Sequence, residues 1–441
     1  MKTRREFLNS SATLISFIGL RKYITSVPTQ KVSPGAGHGP LVRDEKKVVE
    51  LPAGFDYQVI SRAGERMNDG FFVPAAHDGM AAFPGPNGTT VLVRNHELDL
   101  NMLAEGPFGP GAELRSRLDS SLIYDQAPGP GGTTTLVYDT RRKTLERQSL
   151  SLTGTIRNCA GGPTPWGSWI SCEETVQLAD ARHKQNHGYN FEVPAMADGV
   201  VTPTPLKAMG RFYHEAIAVD AQTGIVYQTE DRDDSLLYRF IPERRGDLAS
   251  GGQLQALAIR DLPSADMRNW MAQSIPVGRT FEADWIDLDD VQSPKDDLRV
   301  RGFAAGAARF ARGEGMWAGQ GVIYFACTSG GSSKAGQIWK YVPDANGGKL
   351  QLFIEPNDTS VLEMADNITV APWGDLIICE DGPNGNHVLG VTPQGRLYQL
   401  ARNVMNTSEF AGAVFSPDGS TLFVNIQTPG LTLAITGPWR R

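Results

Sequence analysis

Nine carboxylates, one cysteine and one arginine carry the chemistry that can be read from this chain. The acids are Glu97, the pair Glu173 and Glu174, Glu215, the pair Glu230 and Asp231, Glu314, and the pair Glu380 and Asp381. Carboxylates gathered at one place repel each other unless cations hold them. Hard oxygen ligands in this number suit calcium, which takes about six to eight oxygens, or a ferric or manganese ion. Cys159 lies in the loop-like run from Asn158 to Gly162 and adds a thiolate, which suits iron or zinc. His96 and His214 each precede a glutamate and are read as ligands or as orienters of ligands, with an ordinary hydrogen-bonding role the commoner one. Arg312 stands two residues before Glu314, and Arg309 is close by. A guanidinium there presents a planar fork to a phosphate or carboxylate, unless it is a surface residue or a structural ion pair. No G-x-S-x-G elbow and no P-loop occurs, so a metal-activated oxygen is the natural attacker.

What must position these residues is a repeat. Five times a short apolar strand runs into acidic or amide residues: VLVRNHE from Val91, SWISCEE from Ser168, IVYQTED from Ile225, LIICED from Leu376 and LFVNIQ from Leu422. A sixth, VIYFACTSGG from Val322, ends in small polar residues. Four of the strands follow a turn signal, PWG, QTG, PWG or SPDG. Strand alternation lets only one member of Glu173 and Glu174 face a common axis. The expected fold is all-β, a six-bladed β-propeller with inserted loops and short helices, and a pair of β-sandwiches is the competing architecture. Insertions are expected around Pro107 to Pro130 and Pro242 to Arg301. The segments Leu236–Phe240 and Gln337–Val342 read as outer strands. The run Leu431–Ile435 is expected to close the ring on the first blade near Leu51–Ile60, which would remove a free edge.

Bulk properties agree. The 441 residues are 40% hydrophobic, enough for a large core, and 48 Gly with 28 Pro require frequent turns. A net charge of −7 with no basic run past the extreme N-terminus gives no support for nucleic-acid binding. Residues 3–8, Thr-Arg-Arg-Glu-Phe-Leu, form a twin-arginine pattern, followed by an apolar stretch from Ala12 to Leu20 too short to span a bilayer. The expectation is therefore a signal peptide and linker over 1–48 and a single catalytic domain over 49–441. The mature protein is expected to be periplasmic or secreted through the twin-arginine export machinery, without membrane insertion, and nothing demands more than a monomer. Four cysteines in an exported protein suggest two disulfides, yet Cys172, Cys327 and Cys379 lie within the repeated strands, where a small buried hydrophobe is the default.

The run Asn158 to Trp169, continuing to Cys172-Glu173-Glu174, resembles the signature of the PhoX-type alkaline phosphatases. So do Gly210 to Glu215, Tyr227 to Asp231, and Arg312 to Trp317 followed by Thr328 to Gly331; the likeness spans roughly residues 50 to 430. The resemblance implies a six-bladed propeller whose axis holds ferric iron and calcium. It implies hydrolysis of small-molecule phosphate monoesters, with an oxygen bridging the metals as nucleophile. Carried over, it makes Cys159 an iron ligand, Glu174, Glu215 and Glu314 metal ligands, and Arg312 the contact to the phosphoryl group. Glu97, Glu173, Glu230, Asp231, Glu380 and Asp381 enter as metal ligands from the repeat. Two other classes compete: a calcium-dependent propeller lactonase or esterase, and a non-catalytic, calcium-stabilised binding propeller.

Overall fold

The computed structural model describes residues 30–126, 129–271 and 273–440. The twin-arginine pattern lies outside them. The fold is all-β and propeller-like, strands throughout with one α-helix among the described residues, Leu298–Ala304. Six hairpins recur along the chain, each built from a first strand and a second strand joined by a turn. The first strands are His77–Pro84, Asn158–Pro163, His214–Val219, Gly313–Gly319, Ala365–Val370 and Phe410–Phe415. They pack one against the next in a closed cycle, Phe410–Phe415 meeting His77–Pro84. The second strands are Thr90–His96, Ser168–Glu173, Val226–Glu230, Val322–Cys327, Leu376–Glu380 and Thr421–Ile426. These are the apolar runs of the sequence repeat, and their side chains are buried almost throughout.

Six separate blades, as expected, are not what the ladders give. Four sheets reach four or more strands: one of six, one of nine and two of four. The nine-stranded sheet arises because Thr280–Asp287, from the long insertion, pairs with Asp247–Ile259 on one side and with Lys349–Ile354 on the other. Two hairpin units are thereby fused into one sheet. The unit built on Asn158–Pro163 stops at three strands. Its next neighbour makes only an isolated bridge, Phe191 to Pro205. In Thr202-Pro203-Thr204-Pro205 every second residue lacks an amide donor, so no ladder can continue. Tyr238–Arg244 and Gln337–Val342 are third strands rather than outermost ones, since Asp247–Ile259 and Lys349–Ile354 flank them. Ring closure follows the expectation: Leu431–Thr436 pairs antiparallel with Asp56–Arg62. The chain joins the fold before residue 49, where Leu41–Val42 pairs with Val49–Pro52. The four cysteines are buried and free.

Each first strand carries a register shift against its second strand, between its first and fourth residues in five hairpins and one residue later in Phe410–Phe415. A bulge there breaks the alternation and re-aims one side chain towards the axis. Around the axis the backbones touch. A Cβ on Gly315 would stand 2.5 Å from the Asp366 carbonyl oxygen, and one on Gly412 would stand 2.4 Å from that of Asp78. Below these contacts the axis holds only a void of about 20 Å³, edged by Gly79, Gly315, Trp317 and Gly412, room for about one water. Gly315→Ala is expected to lower unfolding free energy by about 1–3 kcal/mol through overpacking, read by denaturant melts, because the opposing atoms are backbone and cannot rotate away.

Candidate metal centre

The second residue of five first strands is an acid or a thiol: Asp78, Cys159, Glu215, Glu314 and Asp366. The bulge at that point turns it inward. A second ring comes from the residue just past the second strands: Glu97, Glu174, Asp231 and Asp381, with Thr328 and Gln427 at the other two places. One hydrogen bond repeats in all six hairpins and fixes this ring. The backbone amides of Glu97, Glu174, Asp231, Thr328, Asp381 and Gln427 donate to the carbonyls of Ala76, Arg157, Tyr213, Arg312, Met364 and Glu409, at 2.9–3.3 Å. In four of the six, the carbonyl-bearing residue (Ala76, Arg157, Arg312, Met364) is a non-glycine residue in the left-handed region, φ +46° to +52°. Such strain persists where the surroundings impose it and gathers at functional sites.

The two rings merge into one cluster. Four overlapping sets have ligand atoms within 4.8 Å of one another: Asp78, Glu97 and Cys159; Cys159, Glu174 and Glu215; Glu215, Glu314 and Asp366; Asp366, Asp381 and Glu409. The Cys159 Sγ lies 3.1 Å from Glu215 Oε1. Glu215 Oε2 is buried with no hydrogen-bond partner among the described residues, a lone pair aimed at nothing the protein supplies. Arg157 Nη2 lies 2.7 Å from Glu97 Oε1 and also holds Glu174 Oε2, while its Nε donates to the Glu174 carbonyl. Arg312 grips both oxygens of Asp231, Nε to Oδ1 at 2.7 Å and Nη2 to Oδ2 at 2.9 Å, and Nη2 also reaches Glu314 Oε1 at 2.9 Å. None of these bonds uses Arg312 Nη1, and the side chain is 30% exposed. Gln427 Nε2 donates to Glu97 and Asp78. It also edges a pocket of about 520 Å³ with Phe72, Val73 and Met102.

Burial dominates the electrostatics. Desolvation pushes the carboxyls of Glu174, Glu215, Glu314, Asp78 and Glu409 well above the usual range, and neighbouring carboxylates push them further. Asp366 is raised to about 7 by burial and by Asp381. Asp381 is raised to about 6 by burial, despite Arg312. The Cys159 thiol is pushed up by burial and by Asp78 and Glu215. Arg312 and Arg157 lose charge stability to burial but regain more from their carboxylate partners, so both stay protonated well into the alkaline range.

Of the residues expected from sequence, Cys159, Glu97, Glu174, Glu215, Asp231, Glu314, Asp381 and Arg312 come together here. Glu173, Glu230 and Glu380 do not. Each is the last residue of its second strand and points into its own sheet, by the alternation that sends the next residue to the axis. Glu173 accepts from the amides of Ile156, Gly188 and Tyr189 and pairs with His187. Glu230 accepts from the Tyr238 hydroxyl at 2.7 Å. Glu380 accepts from the Glu363 and His387 amides and the His387 ring. His96 bonds the Ala75 carbonyl and Thr134, His214 bonds the Gly210 carbonyl, and neither joins the cluster. Arg309 pairs with Asp266 near the surface. Sequence reasoning missed Asp78, Asp366, Glu409 and Arg157. A signal for the first two existed: an acid or thiol followed by a small or amide residue, Asp78-Gly79, Cys159-Ala160, Glu215-Ala216, Glu314-Gly315, Asp366-Asn367. The small residue is what lets the strand backbones meet.

A family model described as alkaline phosphatase PhoX matches residues 36–430. Among solved structures the fold is similar to that of Pseudomonas fluorescens PhoX in complex with vanadate, a transition state analogue. That similarity has a TM-score of 0.65 and 17% identity, covering 93% of this chain and 98% of that one. A gluconolactonase from Xanthomonas campestris aligns with a TM-score of 0.43 and 11% identity, over 90% of this chain and all of that one. Among curated protein sequences, none matches the chain.

Proposed function

The chain belongs to the alkaline phosphatase PhoX family, a family of phosphomonoesterases, and from that premise we propose that its axial cluster, loaded with ferric iron and calcium, is where phosphate monoesters are hydrolysed. The observation that carries this reading is the continuous chain of buried and half-buried ligand groups, with the unpartnered Glu215 Oε2 in its middle and Arg312 at its edge. The donor set fits the metals. The two sets that share Cys159 combine a thiol with carboxylates and suit iron, and the two all-oxygen sets suit calcium. Bound there, the cations would neutralise the phosphoryl oxygens and supply the nucleophile.

The protein's own residues do the rest. Arg312 is held by Asp231 and Glu314, so its fork is fixed before substrate arrives, and Nη1 is left to meet a phosphoryl oxygen. Because its carboxylate partners keep it charged, this contact survives at alkaline pH, where a phosphate monoester is a dianion. Arg157 orients Glu97 and Glu174 and keeps two acids of the cluster in place. The pocket beside Gln427 offers room for the alcohol of the ester. Export by the twin-arginine route would carry the folded, metal-loaded chain to the periplasm or beyond, residues 49–441 acting as one catalytic domain. The experiment is phosphate release from a chromogenic monoester at alkaline pH, before and after chelation. Turnover that chelation abolishes and calcium with iron restores is expected; turnover untouched by chelation would sink the assignment.

A further inference from the structure

Outside the axial cluster, three more side chains meet in a way that ion pairing alone does not account for. Asp125, His183 and His187 offer ligand atoms within 4.8 Å of one another, and all three are buried. His187 Nε2 stands 3.4 Å from Asp125 Oδ2, and His183 Nδ1 stands 3.6 Å from the same oxygen. The second distance is too long for a hydrogen bond. Both match the edge of a tetrahedron, about 3.3 Å, around an ion with bonds of about 2.0–2.1 Å. His183 Nδ1 has no hydrogen-bond partner among the described residues although its side chain is only 3% exposed. A buried ring nitrogen left open costs free energy unless something binds it.

The surroundings are built for a ligand. His187 uses its other nitrogen, Nδ1, on Glu173 Oε1 at 2.6 Å. A carboxylate on the far nitrogen fixes the tautomer so that Nε2 presents its lone pair, the arrangement that commonly backs a zinc-binding histidine. Glu173 is itself held by the amides of Ile156, Gly188 and Tyr189. Asp180 caps the turn before the site, accepting from the amides of Arg182 and His183 and so aiming His183 inward. Asp125 is set by the amides of Lys184 and Gln185. The two histidines are four residues apart, a spacing at which both rings reach one ion.

We propose that Asp125, His183 and His187 bind a structural divalent zinc ion, with Glu173 orienting His187 and a water in the remaining position. Two imidazole nitrogens and one carboxylate oxygen suit zinc rather than calcium. The ion ties the loop ahead of Gly131–Asp139 to the loop after Ser168–Glu173. Through the adjacent residue pair Glu173 and Glu174 it anchors one wall of the axial centre.

The test is elemental analysis and zinc-edge X-ray absorption on the full-length holoenzyme purified without chelator. About one zinc per chain is expected, with nitrogen and oxygen neighbours near 2.0 Å, imidazole outer-shell scattering and no sulfur. His183→Gln and His187→Gln are each expected to lose that zinc, keep iron and calcium, and melt several degrees lower. Absence of zinc from the wild type, a sulfur neighbour near 2.3 Å (zinc at Cys159 instead), or zinc retained in full by both variants would overturn the proposal. The absorption spectrum needs only the wild type, so the idea stays exposed even if the variants misfold. Neither outcome depends on phosphatase turnover.

Discussion

Arg312→Ala is expected to lower turnover of a chromogenic phosphate monoester by about 10²–10³-fold, the usual cost of deleting one preorganised donor to a developing oxyanion. Its metal content should stay at the wild-type level. The reasoning is geometric. The guanidinium is gripped on Nε and Nη2 by Asp231 and Glu314, so its position is settled without substrate. Removing it leaves those carboxylates free for cations, and the metal sets do not include it. Arg312→Lys would keep a charge but lose the planar fork and the simultaneous hold on Asp231 and Glu314, so only partial activity should return. A purely structural ion pair predicts the opposite split, with a lower melting temperature and turnover within a few-fold of wild type. That split, at full metal occupancy, would remove Arg312 from the reaction.

How much of this centre is legible in the sequence depends on which strand a residue belongs to. Most of the second strands announce themselves, because a PWG or QTG turn precedes an apolar run that ends in acid, while Glu97 is marked by its run alone. That places Glu97, Glu174, Asp231 and Asp381 at one phase. Choosing within each acidic pair is a matter of register, which a string of letters does not carry. The last strand residue, Glu173, Glu230 or Glu380, satisfies its own sheet and the next one faces the axis. Cys159, Glu215 and Glu314, in the first strands, stand out in the sequence as a lone loop thiol and as acids outside the repeated runs, and motif resemblance is what makes them ligands. Asp78 and Asp366 have only the weaker cue of an acid followed by a small or amide residue, since a bulge rather than simple alternation turns them inward. The blade count failed for another reason. A long insertion contributed Thr280–Asp287, a strand that fuses two units, and alternating prolines kept a third unit short. Edge pairing of this kind is decided by what lies nearby in space, not by local pattern.

Stripped of cations, the protein is expected to lose thermal stability as pH rises from about 4 to about 7, while the metal-loaded protein shows no such loss. Unfolded, the cluster carboxyls titrate near 4. Folded, Asp366 titrates at about 7 and Asp381 at about 6, with Glu174, Glu215 and Glu314 also well above the usual range. Between those values the folded chain binds more protons than the unfolded one, so unfolding free energy falls with rising pH. Below about pH 4 both states are protonated and the penalty vanishes; above about 7 it is complete for Asp366 and Asp381. Summed over these acids it amounts to several kcal/mol, on the order of the whole stability of a domain. Cations reverse the sign, because they take only the ionised form and bind more tightly as protons leave. Melting curves at several pH values, with and without chelator, read both slopes, and Asp366→Asn should flatten the chelated one. A chelated protein whose melting temperature is level or rising over this range would mean that the acids are not crowded as described. The same crowding explains why the chain tolerates so many buried carboxylates at all. Without cations it is a liability that grows towards alkaline pH, the range in which a phosphatase of this family works, so occupancy of the centre and persistence of the fold are one equilibrium.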